Sequence, residues 1–259
     1  SSQTKKPVEN LHHPWRLERE NYLGVRYSKA DELHLVDPDL ARERPVPLTG
    51  SGYRFAIFDS LVRGPETDPI LLERIECCRK AIRKVQTMFP KVKRIVDLTP
   101  DELEASYSIL DDVEKKRVTH VVSENQRVRQ GVQKLKNKEY FSFGRLMYDS
   151  HASLKNDYNV SAKELDTAVS FAKGIPAIIG ARMTGPGLGG ALVLLLDRQG
   201  ESETLTKLSA AYEKETGKKP VLYPLDPPGG PRELGVEAPA PVQSSPDETE
   251  QPAPEAASR

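Results

Sequence analysis

The densest run of chemistry-bearing positions in this chain is Gly180-Ala-Arg182-Met-Thr184-Gly185-Pro186-Gly187-Leu188-Gly189-Gly190. Glycines this close together let a backbone take positive φ and approach a ligand or another backbone at contact distance. It is the one stretch of the sequence that reads as a phosphate-handling loop. Gly185, Gly187 and Gly190 satisfy G-x-G-x-x-G, a dinucleotide fingerprint that requires a strand before it and a helix opening directly after it. The chain continues instead with Ala191-Leu-Val-Leu-Leu-Leu196, closed by the turn-like Asp197-Arg-Gln-Gly200. An apolar run of that length with no polar face reads as a buried strand. A strand, glycine loop, strand arrangement is therefore favoured over a nucleotide-binding βαβ unit.

The remaining reactive residues exclude more than they propose. No G-x-x-x-x-G-K-[ST] occurs, so a Walker-type loop is ruled out. The two cysteines, Cys77 and Cys78, are adjacent within a helical pattern, which suits neither a C-x-x-C motif nor a disulfide framework, and they are expected as buried reduced thiols. His12-His13 has no further ligand residue nearby and reads as a solvated arm, so no metal site is expected. Lys+Arg and Asp+Glu both number 38, giving a net charge of zero, and the basic residues alternate with acids. That leaves no electrostatic footprint for nucleic acid or an anionic membrane. No apolar run approaches the roughly 20 residues that span a bilayer, and the polar start lacks the apolar core of a signal peptide. The expected compartment is the cytoplasm.

Supports for the loop are predicted on both sides of it. Tyr53-Arg-Phe-Ala-Ile-Phe58 is aromatic and β-branched between Gly50-Ser-Gly52 and Asp59-Ser60, and predicts a strand. Apolar residues from Ile70 to Val85 fall near one stripe, predicting a helix from Pro69 to about Phe89. Thr99-Pro100-Asp101-Glu102 predicts a capped helix start. Further helices are expected over Asp112 to Lys136 and Glu139 to Ser153, and Ser161-x-x-Glu164 reads as a capping box opening a helix to about Lys173. Strands at Ala177 to Met183 and Ala191 to Leu196 flank the glycine loop. A helix from Glu203 to Glu215, ended by Gly217, and a strand at Pro220 to Tyr223 complete the order. This is an α+β pattern, an elaborated split βαβ of ferredoxin-like type, with helices on one face of an antiparallel sheet. Residues 1–18 read as a polar arm, residues 19–226 as the folded domain, and residues 227–259, rich in Pro, Glu and Ala, as a disordered tail.

A longer ordered set of residues then resembles the C-terminal half of the galactokinases, sugar kinases of the GHMP superfamily. Phe143-Gly-Arg-Leu-Met-Tyr-Asp-Ser150-His151-Ala-Ser153-Leu154-Lys-Asn-Asp157-Tyr158-Asn-Val160-Ser161-Ala-Lys-Glu164-Leu165-Asp166 is similar to F-G-x-L-M-x-x-S-H-x-S-L-x-x-D-Y-x-V-S-x-x-E-L-D. The glycine run is similar to G-S/A-R-M-T-G-G/A-G-F/W-G-G. Weaker agreement runs back through His120-Val-Val-x-Glu124, Glu76-Cys77 and Asp59-Ser60-x-Val62-Arg63 to about Glu20. The resemblance implies a GHMP kinase C-terminal domain, ATP and Mg²⁺ as cofactors, and galactose or a related sugar as partner. It also implies a phosphate or cleft role for Arg182, Thr184, Gly185, Gly187, Gly189 and Gly190. Arg182 has two readings, as a phosphate partner in the cleft or as the mate of a carboxylate on the sheet. Ser150-His151 has two as well, facing a sugar or closing a helix end, and the second is expected.

Other family segments are missing from these 259 residues. The family's P-x-G-x-G-L-S-S-S-A nucleotide loop and R-V-N-L-I-G-E-H-T-D-Y sugar segment do not occur. Glu20-Asn21-Tyr22-Leu23-Gly24-Val25 resembles the lead-in to the S/C-G-I-M/L-D-Q stretch that supplies the family's catalytic aspartate, yet it runs on into the strand around Asp31 to Asp37. Asp31 aligns with a residue of the turn after that stretch, so no residue is assigned as catalytic. Pro186 and Leu188 replace a glycine or alanine and an aromatic in the loop, which weakens phosphate approach there. The expectation is a galactokinase-family chain that is inactive alone, with an apolar face for a protein partner to cover. The alternatives are a non-catalytic partner- or sugar-binding protein, or the C-terminal half of a split or truncated galactokinase gene.

Overall fold

The computed structural model describes residues 32–37, 42–47, 52–64 and 69–225. The expected polar arm, the tail, His12-His13, Glu20 to Val25 and Asp31 lie outside the described residues. β1 (Glu32–Asp37) and β2 (Arg42–Pro47) form an antiparallel pair in which Leu33 sits opposite Val46. The main sheet contains β3 (Tyr53–Val62), β4 (Ile178–Met183), β5 (Gly190–Asp197) and β6 (Val221–Leu225), in spatial order β4-β5-β3-β6 and antiparallel throughout. That order is the split βαβ one expected from the sequence.

The polar-free run Ala191 to Leu196 is explained by what covers it. Leu192, Leu194 and Leu196 pack with Ala56 and Phe58 against α5 (Lys163–Lys173) and α6 (Glu201–Thr216). Leu195 points the other way, to Phe55, Ile179 and Val46. The two crossover helices thus share one face of the sheet, and the opposite face is covered by the β1–β2 pair together with the ends of two helices, α3 (Asp112–Lys136) and α4 (Tyr140–Ser153). A strand buried on both faces has no use for alternating polar residues. All four leucines from Leu192 to Leu196 are fully buried, and each contributes about 1.5–3 kcal/mol of apolar burial.

A third cluster stands apart from the sheet. It joins α1 (Pro69–Met88), a 3₁₀ turn at Ile95–Asp97, α2 (Pro100–Ser106) and the N-terminal half of α3, through Ala81, Val85, Val118 and Val122. Thr99 caps α2 as the sequence predicts: its hydroxyl accepts from the Glu102 amide at 3.2 Å, and Glu102 accepts from the Thr99 amide at 2.9 Å. The capping box predicted at Ser161 is not formed. Ala162 occupies the cap position of α5, and the Ser161 hydroxyl donates instead to Asp166 Oδ1 at 2.7 Å. A carboxylate one turn inside the helix is a stronger acceptor for that hydroxyl than any use the cap has for it. Cys77 and Cys78 are free and half-buried rather than buried; burial pushes the Cys78 thiol up to about 11.

Candidate functional site

Two glycines bring α4 onto β4. A Cβ on Gly144 would stand 2.2 Å from the Ile179 carbonyl oxygen, and one on Gly180 would stand 2.7 Å from the Gly144 Cα. Backbones this close admit no side chain between them, so the helix lies directly on the strand. Ser150 and His151, near the end of α4, are thereby set beside Arg182 and Met183 of β4. His151 Nδ1 accepts the Met183 amide at 3.3 Å, which leaves the proton on Nε2, 3.2 Å from Asp166 Oδ1. Asp166 also receives Ser161 and the Lys155 ammonium, the latter at 3.0 Å. Burial raises the Asp166 pKa, but the hydrogen bonds from His151, Ser161 and Lys155 outweigh it and hold the carboxyl below its ordinary value. His151 is therefore a bridge between strand and helix with both ring nitrogens engaged.

Ser150 belongs to a second cluster. Its hydroxyl donates to Glu124 Oε1 at 2.6 Å, and Arg127 Nε donates to Glu124 Oε2 at 2.7 Å. Arg182 reaches the same carboxylate with Nη2 at 3.7 Å, while its Nε is buried without an acceptor. The carboxylate beside Arg182 is Glu124 of helix α3, not one on the sheet as the sequence suggests. Burial pushes Glu124 up and the Ser150 hydroxyl, Arg182 and Arg127 together hold it below its usual range. A third chain runs from His120 Nδ1 to the Ser153 hydroxyl (2.9 Å) and on to Asp157 Oδ2 (2.7 Å). With the serine in the middle and its proton committed to the aspartate, this is not the order in which a histidine activates a nucleophile.

The glycine loop itself is clamped from beneath. Gly187 has φ 103° and a Cβ there would stand 2.2 Å from the Val160 carbonyl oxygen; Gly189 has φ 139° and would meet the Val62 carbonyl at 2.8 Å. Leu188, at φ 60°, donates its backbone N–H to that same Val160 oxygen at 2.7 Å. The Asp59-Ser60-x-Val62-Arg63 motif supplies the other jaw. Arg63 grips Asp59 through both guanidinium nitrogens at 2.7 and 2.6 Å, and the Ser60 hydroxyl donates to the Gly190 carbonyl at 2.6 Å. Thr184, Gly185 and Pro186 form the exposed outer rim, and nothing lies within 4 Å of a Cβ built on Gly185. The six sequence-identified loop residues thus divide: Gly187 and Gly189 press on backbone, Gly190 joins β5, Thr184 and Gly185 face outward, and Arg182 points to Glu124.

The family described as GHMP kinases C terminal matches residues 132–214, the span holding α4, the glycine loop and most of α6. Galactokinase from Roseiflexus sp. is 34% identical over 76% of this chain and 50% of its own length. That from Levilactobacillus brevis is 35% identical over 82% of this chain and 54% of its own. The chain belongs to the galactokinase family. It spans about half the length of these curated relatives. The solved structure of Lactococcus lactis galactokinase complexed with galactose superposes on 88% of this chain and 63% of that one, with TM-score 0.75 and 27% identity. In this galactokinase-family chain the Glu124 cluster is not legible in the sequence. The one signal was His120-Val-Val-x-Glu124, whose glutamate meets Ser150 and Arg182 only once α3, α4 and β4 are packed together.

Proposed function

We propose that this chain supplies the C-terminal half of a galactokinase-type unit, one that moves the terminal phosphoryl of ATP to the C1 hydroxyl of galactose, and that these 259 residues alone do not turn over. The observation that carries the reading is the divided glycine loop, fixed on its inner side at Val62 and Val160 and open along Thr184 to Pro186. Phosphoryl transfer is governed by placement and charge stabilisation, so a loop that cannot sag is worth having beside the transferred group. The exposed Thr184 and Gly185 offer a hydroxyl and a backbone N–H, which fit a phosphate oxygen; ATP, when bound, would supply the phosphoryl group. Mg²⁺ at a nucleotide is held by one or two carboxylates together with the phosphates, and the loop rim Thr184-Gly185-Pro186 carries no carboxylate to offer it. Placement of the metal and of the attacking hydroxyl falls, in this reading, to a nucleotide-binding half that covers the loop. That half is the protein partner the reading requires, and residues 19–226 are the unit it meets. The cytoplasm is part of the same proposal; among the described residues no helix is long and apolar enough to cross a membrane.

A radiolabelled-ATP assay with galactose and Mg²⁺ tests it. Loss of one electrostatic element alone commonly costs about 10² to 10³ in rate, so the purified chain should give no labelled sugar phosphate above background. Co-expression with the N-terminal half of the Levilactobacillus brevis relative should restore labelling, and Gly187→Val should abolish it. Labelling by the chain alone that disappears in Gly187→Val would overturn the claim of silence. A stable, folded assembly of the two halves without labelling would favour a non-catalytic binding role instead.

A further inference from the structure

Beneath the β1–β2 pair, on the sheet face away from α5 and α6, lies a cavity of about 260 Å³ that the kinase reading does not use. Its walls are overwhelmingly apolar, with Leu35, Val46, Phe55, Leu135 and Met147 among them, and Val128 at the half-exposed mouth. The Glu124 cluster lines the same cavity through Glu124, Arg127, Ser150 and Arg182. Val193, the cross-strand partner of Arg182, lines it too, which fixes the side of the sheet from which the arginine projects.

The charges in that wall do not balance. Glu124 is saturated by Ser150 and Arg127, whereas Arg182 has only the 3.7 Å approach to Glu124 and a buried Nε with no acceptor. Among the described lining residues two guanidiniums, Arg127 and Arg182, face one carboxylate, Glu124. A buried donor without a partner is costly, and a native structure that keeps one has a reason for it. An apolar cleft with a few convergent polar groups is a usual form of small-molecule site.

We infer that this cavity binds a small monoanionic amphiphile, its carboxylate paired with Arg182 and its hydrocarbon body lying against the walls formed by Phe55, Leu135 and Met147. A carboxylate matches the guanidinium fork and gives Arg182 the close counter-charge that Glu124, at 3.7 Å, does not supply. At about 30 Å³ for each water-sized group the cavity takes about nine heavy atoms, the size of heptanoate. The inference stands on the cavity and its charges, independent of any phosphoryl-transfer activity.

Heptanoate, heptan-1-ol and acetate are the probes, titrated into the full chain by calorimetry and by NMR of methyl-labelled methionine. The three methionines make the readout local: Met147 lines the cavity, while Met88 is exposed at the end of α1. Heptanoate should bind at least tenfold tighter than either heptan-1-ol or acetate and should shift the Met147 methyl without moving that of Met88. Arg182→Met should bring heptanoate down to the level of heptan-1-ol. Val128→Trp, a change at the exposed rim that leaves the buried cluster alone, should close the mouth and abolish binding. Equal affinity for acid and alcohol, no binding at all, an unchanged affinity in either variant, or a shift at Met88 in place of Met147 would each overturn the proposal.

Discussion

His120 shows how a single side chain acquires a role through its surroundings. It is 5% exposed, its ring lies against Tyr158 at 4.7 Å, and Ser153 ties Nδ1 to Asp157. Burial holds its pKa down to about 4, against an ordinary 6.5, and the neighbouring Glu124 and Asp157 only partly oppose that. The unfolded chain therefore takes up a proton between these two values that the folded chain refuses. Stability is complete above about pH 6.5 and falls as the pH drops toward 4, by about 3.4 kcal/mol if the whole shift is expressed. Urea titrations across that range should show the slope, and His120→Gln should flatten it between pH 6.5 and 4 while carboxylate effects persist below. A variant that keeps the full slope would mean that another group carries it. In the sequence this histidine was visible only as part of a pattern, because nothing in its neighbours along the chain announces Ser153, Asp157 and Tyr158, which arrive from α4 and the π-helical turn Leu154–Tyr158 after it.

At the scale of elements, the sequence was most legible where the determinants are local. The Thr99 cap, the span of α3 and the strand, loop, strand order around the glycines could each be read from a few adjacent residues. Ser161-x-x-Glu164 failed because a local cap competed with Asp166, already drawn into place by His151 and Lys155, and tertiary partners prevailed over the helix end. The β1–β2 pair as cover for the second sheet face, and Gly144 against Gly180, were beyond reach because they are properties of contact between segments. The glycine loop lies between these cases: its composition announced close approach but not to what. The structure answers with a difference that stability measurements can resolve. Gly187→Ala combines φ 103° with a 2.2 Å clash on the Val160 carbonyl, whereas Gly185→Ala has φ 75° and open space. Left-handed strain alone costs about 1 kcal/mol, and an unrelieved backbone clash adds to it, so Gly187→Ala should lose at least about 1 kcal/mol more than Gly185→Ala in urea unfolding. Equal losses would show that the loop is free to move away from Val160.

On the scale of the molecule, the fold is two bodies of core joined by one long helix. The first two clusters are organised around the sheet; the third, built from α1, the 3₁₀ turn, α2 and the front of α3, contains no sheet residue. Helix α3 belongs to both, with Val118 and Val122 in the helical layer and Leu135 against the sheet. Lateral ties are both apolar and polar: Leu71 of α1 packs against the first cluster and the His120 ring lies against Tyr158, while Arg74 donates to the Tyr158 and Asn159 carbonyls at 2.9 and 3.3 Å and Arg117 donates to the Asp157 carbonyl. Packing of this kind lets one layer open without the other, since cooperative units follow contiguous cores. Val118 is fully buried, and truncating it removes two methyl groups from the helical cluster alone. Val118→Ala should cost roughly 1–3 kcal/mol. In hydrogen exchange, the loss of protection should be confined to α1, α2 and the first half of α3, with β3, β4 and β5 protected as in the parent chain. An equal loss across the sheet would mean that α3 transmits the damage and that the two bodies unfold as one. The distinction bears on function, because the glycine loop and Arg182 sit on the sheet body, and a helical layer that breathes separately can vary without disturbing them.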